Sequence, residues 1–159
     1  MKSFNLNEEK NEILGELDHL NSFIGLAKSL VKNKKTKKIL TDIQNDIFII
    51  SANIVDPHAF HKPFNIIKRR IIDIQKEVFI IEKNLKKINH FILPDGTTAA
   101  CLIQCVRTIT RQVERKIPGY LNDPEDIAVY LDQVACLMFA LSRQINQFSG
   151  FTEQAPQYK

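Results

Sequence analysis

The sequence predicts an all-α protein, a five-helix bundle with antiparallel up-down packing, and three observations predict it. Apolar residues recur at three- and four-residue steps, and period-two alternation is absent. Pro, Gly and Asn-Asp clusters punctuate the chain into five segments. With 44% hydrophobic and 25% charged residues, and only five Gly and six Pro in 159 residues, the composition is globular and excludes a disordered or fibrous chain. The length suits a single domain spanning residues 1–159, with its core at about 8–147 and a flexible tail at 150–159.

The first helix is expected from about Glu8 to Val31, with Ile13, Leu14, Leu17, Leu20, Ile24, Ala27 and Val31 facing inward. Gly25 stands inside it at a cost of up to about 1 kcal/mol against Ala, which close helix approach would explain. The second runs from about Thr36 to Ile54 on Ile39, Leu40, Ile43, Ile47, Ile50 and Ile54. Pro57 ends it by disfavouring helical geometry at Asp56. A loop with His58 and His61 follows, and Pro63 suits the first turn of the third helix. There Ile67, Ile71, Ile74, Val78, Ile81, Leu85 and Ile88 alternate four and three, the stripe of long helices packed at a shallow angle. Pro94 and Gly96 mark a loop, and Thr97 or Thr98 can cap a fourth helix from about Ala99 to Ile117. Its apolar face is Leu102, Val106, Ile109, Val113 and Ile117. Asp123 as cap and Pro124 at the first position open the fifth, which continues to about Asn146.

Net charge is +4, a mild bias toward anionic partners. Much of it lies in residues 32–38, which read as a solvated turn. That run lacks interleaved aromatics, and no helix-turn-helix signature appears, so no nucleic-acid partner is expected. Cys101, Cys105 and Cys136 have no C-x-x-C spacing and no matching His or Asp, so they read as small buried hydrophobes and no metal site is expected. The N-terminus has no apolar signal segment, and no apolar run approaches the roughly 20 residues of a membrane span. A cytoplasmic protein that does not enter membranes is the expectation.

The fourth helix carries the most chemistry. Arg107, Arg111, Glu114 and Arg115 lie at i, i+4, i+7 and i+8 and share one face. Guanidiniums in such a row suit phosphate oxygens. Spacing alone leaves open a solvated face with weak i,i+4 ion pairs.

Four stretches resemble the ATP:cob(I)alamin adenosyltransferases of the propanediol-utilisation type. Residues 18–27, DHLNSFIGLA, resemble D-E-L-N-S-x-I-G-x-A, and residues 43–48, IQNDIF, resemble I-Q-x-x-L-F. Residues 91–96, FILPDG, resemble F-I-L-P-G-G, and residues 107–115, RTITRQVER, resemble R-x-x-x-R-R-A-E-R. The resemblance spans about residues 15–146 and implies a homotrimer with sites at subunit interfaces. It implies ATP, with Mg2+ as a candidate companion, and a cobalamin-type corrinoid as ligands, the 5′-deoxyadenosyl group passing from ATP to Co(I) with release of triphosphate. Carried over by position, Arg111 meets the phosphates, Glu114 helps hold the nucleotide, and Arg107 pairs with Asp18 of a neighbouring subunit. Arg115 supports either role. Asn21 lies in the first motif beside Asp18, and Phe91 matches the aromatic that crowds the lower face of the corrin.

The sequence departs from the family in ways that bear on ATP. The family's Thr- and Gly-rich phosphate segment has no counterpart in residues 1–12, which contain no Gly. His19 stands for Glu and Gln112 for the second Arg. On the last helix Asp132 replaces an Asn, Gln133 an Arg and Cys136 an Asp. Asp132 thereby puts a negative charge where an amide would meet the nucleotide. The alternative is a non-catalytic corrinoid-binding or structural homologue that has lost ATP binding.

Overall fold

The computed structural model describes residues 6–56, 63–117 and 125–158. It contains α1 (Leu6–Leu30), α2 (Lys34–Val55), α3 (Pro63–Lys83), α4 (Thr98–Lys116) and α5 (Glu125–Phe148), and no strand among the described residues. The loop with His58 and His61, and the stretch with Asp123 and Pro124, lie outside the described residues. No helix is long and apolar enough to cross a membrane among the described residues.

The helices form a ring. α1 packs on α2 and α4, α5 packs on α4 and α3, and α3 meets α2 more lightly to close it. The periodic residues fill the centre. Ile13, Leu17, Leu20 and Ile24 of α1 are fully buried, as are Tyr130, Leu131, Val134 and Leu141 of α5. On α4 the buried stripe is rotated from the expected one. Ile103, Val106, Thr110 and Val113 are buried, whereas Leu102 and Ile109 stay partly exposed. Thr110 can be buried because its hydroxyl donates to the Val106 carbonyl at 2.8 Å.

The basic run is not a turn. Asn33 accepts the Thr36 N–H at 3.0 Å and caps α2, so Lys34 onward is helical. Lys35 and Lys38 pair with Glu77 at 2.6 Å and Asp42 at 2.8 Å. The expected α4 cap is in place: Thr97 Oγ1 accepts the Ala100 N–H at 3.2 Å.

Two elements differ from expectation. The helical stripe through Leu85 and Ile88 ends early, because α3 stops at Lys83. The Asn84 side chain donates to the Ile80 carbonyl at 2.7 Å, and Gln147 of α5 takes over the backbone beyond. Its Nε2 donates to Asn84 O at 2.9 Å and its Oε1 accepts Lys86 N–H at 3.1 Å. The tail expected to be flexible is folded back. Arg143 donates to both Glu153 carboxylate oxygens, at 2.8 and 3.0 Å, and to the Lys86 carbonyl at 2.6 Å. Leu93 N–H donates to Gln154 O at 2.9 Å.

A buried polar triad ties three helices. Asp46 of α2, only 4% exposed, accepts Arg70 Nε of α3 and the Tyr130 hydroxyl of α5, both at 2.8 Å.

The glycines divide sharply. A Cβ on Gly25 would meet only the Gln44 amide at 3.5 Å, an ordinary contact, so close helix approach does not require this glycine. Gly96 has φ +125°, and a Cβ there would fall 2.1 Å from Asn146 Oδ1. Asn146 is buried and holds the loop by accepting Thr97 N–H at 3.1 Å and donating to Asp95 O at 2.8 Å. Thermal unfolding should therefore separate the two. Gly25→Ala should be neutral or stabilise by up to about 1 kcal/mol. Gly96→Ala should destabilise by at least about 2 kcal/mol, through strain and loss of the Asn146 bonds.

Candidate functional site

Packing between α1 and α5 sorts the polar residues of α4 between those two neighbours. Gln112 and Lys116 face α1. Lys116 Nζ lies 2.6 Å from Glu16 and 3.0 Å from Glu12, which together hold its ammonium well above the usual lysine range. Gln112 Nε2 donates to the same Glu16 carboxylate at 3.2 Å. Arg115 is exposed and makes no ion pair among the described residues. Arg107 and Arg111 face α5.

Those two arginines, with Glu82, Asp132, Ala135, Cys136 and Phe139, line an open hollow of about 340 Å³ between α3, α4 and α5. Arg107 is set from below: Gln104 Oε1 accepts its Nε–H at 2.7 Å, and Gln104 Nε2 donates to Ser142 Oγ at 2.8 Å. Gln104 and Ser142 are both buried, so the guanidinium rests on a fixed polar base. Arg111 Nη1 pairs with Glu114 at 2.9 Å, one turn along α4, and donates a hydrogen bond to Asp132 of α5. Asp132 also accepts from Gln133 Nε2 at 3.3 Å. Burial and the Asp132 carboxylate push the Cys136 thiol up, with Arg111 opposing them. A thiol so placed stays protonated near neutrality and is no nucleophile.

The cysteines are not the buried hydrophobes expected. Cys105 and Cys136 are exposed and Cys101 is half-buried; on α4, the rotation of the buried stripe turns both of its cysteines away from the centre.

Phe91 lies elsewhere. It is 81% exposed in the segment after α3, beside a second hollow of about 530 Å³ lined by Ile88, Asn89, His90, Ala155, Pro156 and Tyr158. Within one chain, then, Phe91 and Arg111 do not share a hollow. The α1 residues of the first motif are divided as well. Asp18 is exposed and makes no ion pair among the described residues, whereas Asn21 is 6% exposed with its side-chain oxygen buried and lacking a donor. The Asn21 backbone carbonyl accepts Gln44 Nε2 at 3.2 Å, which ties the first two motifs together.

The family model for cobalamin adenosyltransferase matches residues 6–145. The chain belongs to the cobalamin adenosyltransferase family. Among its relatives, a corrinoid adenosyltransferase of Bacillus subtilis is 28% identical over 147 residues, covering 87% of this chain and 75% of the relative. The corrinoid adenosyltransferase PduO of Citrobacter freundii is 25% identical over 137 residues, covering 83% of this chain and 41% of the longer relative. The fold matches a variant PduO-type adenosyltransferase from Lactobacillus reuteri complexed with ATP, with TM-score 0.83 and 22% identity over 94% of this chain and 87% of that one. Another variant from that organism, complexed with cobalamin and ATP, matches with TM-score 0.81 and 22% identity over the same shares.

Of the site residues expected from the sequence, Arg107, Arg111 and Asp132 line this hollow, and Glu114 pairs with Arg111 beside it. Gln104, Ser142, Glu82 and Phe139 were not anticipated. Gln104 had one available signal, its place three residues before Arg107 on the same helical face.

Proposed function

We propose that this protein transfers the 5′-deoxyadenosyl group of ATP to a reduced corrinoid. Family membership over residues 6–145 is the observation that carries this reading. The hollow supports it, because Arg107 and Arg111 bring two permanent cations to one cleft. In the reaction a Co–C bond forms at C5′ of ATP, the C5′–O bond breaks, and triphosphate leaves with the electron pair. No protein nucleophile is required, and the protein's part is orientation and charge stabilisation of the leaving group. Arg111 stabilises that charge and Glu114 fixes Arg111 from its own helix. Phe91 offers an exposed ring to the lower face of the corrin.

The active unit in this reading is a homotrimer. Asp18 and Arg107 form no ion pair with each other within the chain, which leaves each open to a neighbouring subunit. Separate hollows for Phe91 and Arg111 also fit a site completed between chains. Asn21 and Arg115 are assigned only to its periphery. With 18.3 kDa per chain, sedimentation should give a species of roughly 55 kDa, three times that mass.

A second reading has its own observation. The Arg111–Asp132 bond places a carboxylate on the guanidinium assigned to phosphate, which favours a corrinoid-binding protein that does not turn over ATP. Separate calorimetric titrations divide the two. Binding of both ATP and cobalamin supports the transferase, and binding of cobalamin alone supports the second reading.

A further inference from the structure

The hollow beneath Arg111 carries no excess of positive charge. Its lining holds Arg107 and Arg111 against Glu82 and Asp132, and Glu114 stands beside Arg111 as a third acid. This contrasts with the chain as a whole, whose net charge is +4. An open anion receptor would leave its guanidinium donors directed at the ligand.

The geometry also ranks the two acids on Arg111. Glu114 Oε2 is buried and lies 2.9 Å from Nη1, yet it receives no hydrogen bond. Nη1 instead directs its hydrogen to Asp132 Oδ1 across the interhelical gap. Asp132 therefore occupies one of the guanidinium donors that an incoming phosphate oxygen could use. Its side chain is 42% exposed and lines the hollow, so a ligand there meets it directly.

We propose that Asp132 is a specificity-determining residue, an internal carboxylate that competes with polyphosphate for Arg111. The proposal rests on the reading that the nucleotide's phosphates meet Arg111. An anion binding Arg111 either displaces Asp132 from Nη1 or lies beside its carboxylate, and both cost affinity. A neutral ligand group faces neither cost. The hollow thus disfavours polyphosphate in proportion to its charge and leaves adenosine unaffected.

The test uses calorimetry at fixed salt with tripolyphosphate, ATP and adenosine as probes. Asp132→Asn keeps the shape of the side chain and removes its charge. It should bind tripolyphosphate and ATP tighter by on the order of 10- to 100-fold, the range expected for freeing one charge-assisted hydrogen bond. Adenosine affinity should not change. In an Arg111→Ala background the gain should vanish, which separates release of Arg111 from a general change of charge. Asp132→Ser removes the same charge and serves if the Asn variant does not fold. Equal polyphosphate affinity with and without the Asp132 charge would overturn the proposal, as would a gain that survives Arg111→Ala. A gain in tripolyphosphate binding with no adenosyl transfer by either protein would sustain the competitor and defeat the transferase reading. Transfer by both proteins with no gain would do the reverse.

Discussion

Replacing Arg111 by Ala is expected to lower the rate of adenosyl transfer about 100-fold or more. As triphosphate leaves C5′, negative charge grows on the oxygen that departs, and a fixed guanidinium nearby is worth more then than in the ground state. The loss should therefore fall on kcat more than on KM. Arg111→Lys keeps a charge without the planar fork and should recover only part of the rate. Stability should barely move. Arg111 and Asp132 are 40% and 42% exposed, and an ion pair so open to water contributes at most about 1 kcal/mol. Following adenosylcobalamin by its absorbance, alongside thermal unfolding of each variant, checks both halves. A large fall in melting temperature with an unchanged rate would assign Arg111 to the fold rather than to the reaction.

Asp46→Ala should act in the opposite way, costing about 3 kcal/mol of folding stability. Its carboxylate is the acceptor for the fully buried Tyr130 hydroxyl and for Arg70 Nε. Truncation leaves a buried hydroxyl without an acceptor and a partly buried cation without its partner. Arg70 is 26% exposed, which holds the cost below that of a fully buried pair. Asp46→Asn keeps an acceptor and should cost less.

The pH dependence of this triad has a definite sign. Burial pushes the Asp46 carboxyl above its ordinary value of 3.8, although Arg70 and Tyr130 pull it down. Arg70 is less deeply buried, and the same pair raises its value, so the interaction favours the cation while burial still penalises the carboxylate. The folded state thus holds the Asp46 proton to higher pH than the unfolded state. The stability that this retained proton adds is fully present below 3.8 and is lost as pH rises through the raised value, above which the bonds to Arg70 and Tyr130 remain. Denaturant unfolding across that window, on the protein and on Asp46→Asn, should show this slope only where Asp46 is retained.

The helices were legible in the sequence because a helix reports itself locally. Ile13, Leu17, Leu20 and Ile24 lie at three- and four-residue steps, and their burial follows from that spacing. The caps Asn33 and Thr97 are equally local, though only Thr97 was read, because lysines surrounding Asn33 suggested a solvated turn. What depends on distant partners was hidden. Asp46 sits 24 residues from Arg70 and 84 from Tyr130, and no periodicity joins them. The early end of α3 and the docking of the tail depend on Gln147 and Arg143, both late in α5. The site divides along the same line. The Arg111–Glu114 pair is an i,i+3 relation and could be read from the sequence. The Arg111–Asp132 bond crosses 21 residues between helices, so the sequence identified Asp132 as a misplaced charge without showing what it holds.

The most direct test of the account is a single reaction. The purified protein is mixed without oxygen with ATP and chemically reduced cobalamin, and adenosylcobalamin and free triphosphate are both quantified. The account predicts that the two products appear in equal amounts, with the rate following protein concentration. Folded protein that binds cobalamin yet forms no adenosylcobalamin at saturating ATP would contradict it.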